Sequence, residues 1–264
     1  MCFGRRRHRG LACGVIGPFV RVRRLAFLAG AVAHSALAGL GAAYYFGLPP
    51  GLGALPAAIV SALLIGWIAD RSDGAGHEDT LIGAIWAVGM AIGTLFIART
   101  PGYNTQLMSY LFGTILTAGP ERLWVMGLGI ASVSAGLLAL WRPMVAVSLD
   151  PEFARLRGVP VGLLDKLLLV LVSVAVVLLI QVVGLILVLA LLTLPAAIAA
   201  HWTRSMAGMV ALATLSALSA ILLGFWASVT LDWPAGPTII LVAASLFAGS
   251  MLSQRREGIA FDLP

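Results

Sequence analysis

The residue whose type and setting first suggest chemistry is His34, about ten residues into a long uncharged run, GAVAHSALAG. A neutral imidazole suits zinc and other borderline divalent ions, whereas calcium and magnesium prefer oxygen. Polar groups are costly in apolar surroundings, so two readings stand: a metal contact on a path through the protein, or a core histidine bonded to a neighbouring carbonyl. His77, Glu78 and Asp79 form a second polar cluster, where Asp79 reads as the N-cap of the next helix or, alternatively, as an exit-side metal contact. Asp232, before Trp233 and Pro234, reads as a solvated loop residue or a contact for an outside protein. His8 and His201 read as tail and interfacial residues. Cys2 and Cys13 form neither a disulfide framework nor a CxxC metal spacing. The 264 residues contain no GxxxxGK[ST], HExxH or GxSxG, so nothing supports ATP hydrolysis, proteolysis or ester hydrolysis by this chain.

A third candidate is the stretch Ser148 to Pro160, SLDPEFARLRGVP. Asp150 is a good N-cap, Pro151 suits the first helical position and Glu152 complements the positive end of a helix. Gly158 can close the helix in a left-handed conformation. The pattern predicts a charged helix of about two turns between two apolar segments. Isolated helices this short are marginal in water. Either it is a capped surface loop or something docks on it.

The elements that must position these residues are apolar. The chain is 60% hydrophobic and 11% charged, against roughly 25% charged in soluble domains, and its mean hydropathy is +1.01. Apolar segments at 25–46, 51–69, 81–98, 123–141, 164–182, 184–200, 206–226 and 236–253 are each near the roughly 20 residues a membrane crossing needs. The expected fold is all-α: a polytopic transmembrane helical bundle of about eight to nine spans. The whole chain, 1–264, is expected to form a single transmembrane domain, with a helix in 148–160. The run 11–20 is too short to cross, and 103–118, ringed by glycine and proline, reads as a short helix or re-entrant piece. Residues 1–10 are either a basic N-terminal tail or the remnant of a shortened start that has lost half of a first span.

Charge distribution orients the bundle. With Arg21, Arg23 and Arg24 inside and 103–118 not crossing, eleven Lys and Arg fall inside and only Arg99 and Arg122 outside, leaving Arg5, Arg6, Arg7 and Arg9 unassigned. That agrees with the positive-inside rule and puts Arg155 and the C-terminus in the cytoplasm. If 103–118 crossed, the bias would reverse. The net charge of +6 is thereby explained by loops at a membrane, and nucleic-acid binding is not expected. Six of the seven tryptophans fall near span ends, where an indole keeps its N–H in the headgroup layer. Trp86 is the exception. The segments are tiled with small residues, such as Gly30, Ala33, Ala36 and Gly39, which let helices approach closely in lipid. Pro195 lies within 184–200 and is expected to bend that helix.

In order along nearly the whole chain, GVIGPFVRVRRLAFLAGAVAHSALAG from Gly14, DTLIG from Asp79, LMSYLFG from Leu107, the stretch with Asp150, Glu152, Ala154 and Gly158, VGLILVLALLTLPAAIAA from Val183 and PAGP from Pro234 resemble the permeases of zinc and manganese ABC importers. The resemblance implies a homodimer around a central path, cytoplasmic ATP-binding subunits, an extracytoplasmic metal-binding protein and location in the inner (plasma) membrane. It implies divalent metal as cargo, zinc first and manganese or iron as alternatives, with no tightly bound cofactor and no enzyme activity in this chain. The metal contact would be His34. The coupling helix would meet the ATPase through Asp150, Glu152, Phe153, Ala154, Arg155 and Gly158. The sequence departs from the family at Ala31, where an Asp usually stands three residues before the histidine. Competing readings are a permease for iron chelates or cobalamin, which would favour more spans, and a secondary transporter, which would favour internal repeats and midplane charges.

Overall fold

The computed structural model describes residues 7–23, 25–69, 75–100, 113 and 120–256. Among these, eleven helices follow one another: α1 (Arg7–Val22), α2 (Ala26–Tyr45), α3 (Pro50–Ala69), α4 (Ala75–Ala98), α5 (Pro120–Ala139), α6 (Trp141–Leu149), α7 (Pro151–Leu156), α8 (Val161–Val183), α9 (Leu185–Trp202), α10 (Met206–Leu231) and α11 (Ala235–Arg256). Seven are long and apolar enough to cross a membrane, and α5 with α6 makes an eighth if the bent pair is one span. Large side chains such as Trp124, Leu128, Leu95 and Trp226 stand exposed around these helices. In water they would form apolar patches far beyond what a soluble monomer shows, whereas lipid accepts them. The expected all-helical membrane bundle is therefore what the chain forms. The expected piece at 103–118 lies outside the described residues, apart from Gly113.

The chain divides into two compact units, residues 22–185 and residues 1–21 with 186–264. In the first, α2 lies against both α3 and α4. Glycines set how closely. A Cβ on Gly39 or Gly53 would collide with the other's carbonyl, so α2 and α3 touch backbone to backbone there. A Cβ on Gly41 would meet the Gly93 carbonyl oxygen at 2.7 Å, and one on Gly89 would collide with Ser35, which brings α4 equally close. The small-residue tiling thus makes α2 a tightly held rod. Further along, α8 contributes the fully buried Val172, Ala175, Val176, Val177 and Ile180. In the second unit, α10 and α11 pack together, with Gly224 against Ile239. Thr214 of α10 occupies the space a side chain on Gly14 of α1 would need.

Several boundaries differ from expectation. Residues 7–10, read as the end of a tail, open α1. Asp79 is not an N-cap: α4 begins at Ala75, and Asp79 is its fifth residue. No proline separates Ala75 from Thr80, and acidic residues in opening turns are favoured by the helix dipole. The span at 123–141 ends at Leu140, where the chain bends by 74° into α6. Pro143, in the first turn of α6, has no N–H for the Ala139 carbonyl, so the α5 ladder is interrupted at the bend. Consequently the helix in 148–160 is not isolated: it continues an elbow of which α6 is the first arm.

Candidate translocation and docking sites

His34 sits eight residues past Ala26, just over two turns into α2. Its Nδ1 lies 2.8 Å from the carbonyl oxygen of Gly30, one turn earlier on the same helix. A carbonyl only accepts, so Nδ1 is the donor in this bond, and Nε2 is left outside it. Trp86 of α4 stacks on the imidazole with ring centroids 4.2 Å apart and planes 25° from parallel. The indole is held in turn by Nε1 donating to the Met90 sulfur at 3.2 Å, and Phe27 leans on it at 5.7 Å between centroids. Hydrogen bond and stack together orient the ring; the carbonyl bond is the one expected of a core histidine, and it equally leaves Nε2 outside the bond, as a ligating histidine would need. The small residues around His34 do not leave it in open space. One face is covered by Trp86, for which Gly30 makes room: a Cβ there would meet the indole at 3.3 Å. Ala31 is wholly buried (0% exposed), so a carboxylate at that position would be stripped of water. Among the described residues no three His, Cys, Asp or Glu come together as a metal cluster.

The second site is α7. Asp150 has extended backbone angles, φ −148° and ψ 92°, and its side chain accepts from the Phe153 N–H at 2.9 Å. Pro151 opens the helix and Glu152 stands in its first turn. At the other end the Gly158 N–H donates to the Arg155 carbonyl at 3.0 Å and the Val159 N–H to the Ala154 carbonyl at 3.1 Å. This is the paired closure of a Schellman cap, and it needs Gly158 at φ +76°. Six residues would not hold a helix alone; caps at both ends and one buried side chain do. That side chain is Ala154, 1% exposed. It was expected on the docking surface, but it anchors α7 to its own unit. What α7 presents outward is Phe153, half exposed with the Arg157 guanidinium over its ring at 4.9 Å, and Leu156, 87% exposed. Leu156 was missed by sequence reasoning, although a leucine three residues after Phe153 on a short helix shares its face.

The other expected residues take structural places. His77 and Glu78 lie in the first turn of α4, and their side chains, like that of His8, fall outside the described residues. Asp232 caps α10 in the left-handed region, φ 54°, and the Trp233 N–H returns to the Ser228 carbonyl. His201 bonds Ser250 of α11 through Nδ1 at 3.3 Å and stacks on Phe247. Pro195 lies within a continuous α9, and its carbonyl accepts from the Ser216 hydroxyl at 3.4 Å.

The likeness to known proteins is extensive. Residues 8–254 match the model of the ABC 3 transport family. The chain is 33% identical to the manganese transport system membrane protein MntC of Halalkalibacterium halodurans, over 95% of this chain and 85% of the relative. It is 27% identical to the high-affinity zinc uptake system membrane protein ZnuB of Haemophilus influenzae, over 91% and 92%. Among solved structures, PsaBC from Streptococcus pneumoniae in complex with Fab superposes with a TM-score of 0.80 at 28% identity, covering 93% of this chain and 88% of that one. The chain belongs to the ABC 3 transport family, as a multi-pass membrane permease subunit and not an enzyme.

Proposed function

We infer that the chain is the permease of an importer that carries a divalent transition metal into the cytoplasm, zinc first, with manganese or iron as alternatives. The observation that carries this reading is His34: a histidine within an apolar span whose Nδ1 is bonded to the Gly30 carbonyl and whose ring is stacked on Trp86, leaving Nε2 oriented and available to an ion. Imidazole nitrogen selects borderline transition metals over calcium and magnesium. One imidazole from one chain binds such an ion weakly, which suits a conduit that must release its cargo. A second copy of the permease would place a second His34 on the same path.

The relatives named for manganese and for zinc support metal as the cargo. The absence of a phosphate-binding loop from the sequence requires ATP hydrolysis on separate chains, and α7, with exposed Phe153 and Leu156 among Glu152, Arg155 and Arg157, is the surface on which a cytoplasmic ATP-binding subunit docks. The bias of basic residues supports a cytoplasmic α7 and C-terminus for a protein of the plasma membrane. An extracytoplasmic metal-binding protein delivers the ion to the opposite face.

The test is zinc uptake by the complex reconstituted in vesicles. His34→Ala removes the donor without adding bulk and should cut uptake by tenfold or more, at least the roughly 10- to 100-fold scale of losing a ligand's outer-shell partner, while the ATP-binding subunit still co-purifies. Normal uptake by His34→Ala would make the residue structural and move the path elsewhere.

A further inference from the structure

The sequence separates His34 from the docking helix by more than a hundred residues, yet one side chain bridges the elements that carry them. Arg23 stands in the turn before α2. Its Nη1 donates to the Val147 carbonyl of α6 at 3.3 Å, and its Nη2 forms an ion pair with the Asp165 carboxylate of α8. Both ends are three-quarters buried, with side chains 22% and 27% exposed. Arg23 therefore touches the two helices that flank α7 on either side, and it does so from the start of the helix that carries His34.

The Val147 contact has a local cause. In a continuing helix the Val147 carbonyl would accept from the N–H four residues on. That residue is Pro151, which has none. The proline that opens α7 thus orphans the carbonyl at the end of α6, and the guanidinium supplies the missing donor. A cation beside the last turn of α6 also meets the negative end of its dipole, and Asp165, in the second turn of α8, meets a positive one. The planar fork of arginine can serve a carbonyl and a carboxylate at once, which a lysine ammonium on its more flexible stem does less well.

We propose that Arg23 is the positioning residue that transmits movement of the docking elbow to the His34 helix. The route is short: α7 continues from α6 at Asp150, α6 holds Arg23 through Val147, and α2 runs from Arg23 to His34. Between Ala26 and His34 the helix is unbroken and covers about 12 Å, so a displacement of its start is carried along its backbone to the histidine; beyond His34, glycine contacts hold the same helix against α3 and α4. Displacing α6–α7 must either carry the start of α2 with it or break the contacts of Arg23. The inference rests on the reading of α7 as the ATPase dock.

The experiment measures zinc transported per ATP hydrolysed, together with retention of the ATP-binding subunit, in the reconstituted complex. Arg23→Gln should leave the subunit bound and hydrolysis running, while zinc per ATP falls about tenfold, within the roughly 5- to 150-fold range usual for coupling between sites. Removing one partner of a buried pair is harsher than removing both, so the double variant Arg23→Gln with Asp165→Asn should regain thermal stability yet remain uncoupled. A purely structural role predicts that coupling returns with stability. If Arg23→Gln fails to accumulate, Arg23→Lys carries the test: it keeps the charge for Asp165, weakens the Val147 contact, and should still lose zinc per ATP. An unchanged ratio in Arg23→Gln or Arg23→Lys, recovery in the double variant, or release of the subunit by Arg23→Gln overturns the proposal. If Leu156→Asp leaves the subunit bound, the docking reading itself fails, whatever Arg23 does.

Discussion

The His34 site and the α7 site are built on opposite principles. His34 gains its precision from its surroundings: a helix locked between two neighbours by glycine contacts, a carbonyl one turn below and an indole from another helix. Helix α7 gains its shape from its own residues: one aspartate, one proline and one glycine define both ends, and Ala154 alone ties it down. The first arrangement holds one nitrogen steady, which is what the proposed contact with an ion requires. The second presents a small apolar face that a partner can complete. A transport subunit needs both, because cargo contact demands rigidity, whereas a joint with a moving partner demands a surface that is stable only once covered.

The comparison breaks most visibly at Leu156. It is the most exposed large side chain on α7, and nothing in its own unit depends on it. Leu156→Asp should therefore leave folding and membrane insertion intact and strike the partner contact alone. An apolar anchor at the centre of an interface is worth about 2–4 kcal/mol, so the affinity for the ATP-binding subunit should fall by roughly 30- to 1,000-fold. Binding of the purified subunit to the variant in detergent or nanodiscs measures it directly. Wild-type affinity would show that α7 is a capped loop and nothing more.

A smaller effect sharpens the same side of the comparison. A Cβ at Gly158 would meet nothing within 4 Å, so its φ of +76° is the sole reason for glycine. Gly158→Val should cost about 1–3 kcal/mol of local strain, unwinding the last turn of α7 and lowering subunit binding. Gly158→Asn tolerates the left-handed region and should stay close to wild type. Equal behaviour of the two variants would mean that the closure of α7 does not matter to docking.

How legible each site was follows from where its interactions come from. Every determinant of α7 lies within about four residues of its partner, so Asp150, Pro151, Glu152 and Gly158 announced the helix and its limits. The outward face was read less well: Ala154 was assigned outward and Leu156 passed over, because which side of so short a helix is covered depends on elements far away in sequence. The spans were legible from hydropathy. The elbow at Leu140 was not, although Pro143 marked it, because an amphipathic nine-residue helix after a span resembles a loop in composition. For His34 the sequence offered two readings; its hydrogen-bond partner Gly30 is local, but the indole stacked on it comes from another helix. One clue was present: Trp86 is the tryptophan that does not sit near a span end, and it is the one that stacks on the imidazole. The bridge made by Arg23 spans 124 and 142 residues to its two partners, and no local pattern reports a contact of that kind.

The smallest expected effect tests the other side of the comparison, and it concerns Trp86. If the indole serves only to fill space beside α2, a residue of similar apolar character should replace it without consequence. If it orients the imidazole, removing the flat ring should let His34 rotate about its side-chain bonds while the Gly30 hydrogen bond opens part of the time. Aromatic stacking at this distance is worth about 0.5–1.5 kcal/mol, so Trp86→Leu should lower zinc uptake by roughly 2- to 10-fold, less than the loss from His34→Ala. Trp86→Phe keeps a ring to stack on but loses the Nε1 contact to Met90, and it should recover most of the uptake. Neither variant should change the binding of the ATP-binding subunit, because α7 shares no contact with the indole side chain in its cap or its anchor. Uptake by Trp86→Leu equal to wild type would make the stack incidental. Loss equal to that of His34→Ala, with no rescue by phenylalanine, would mean that the indole itself lines the path.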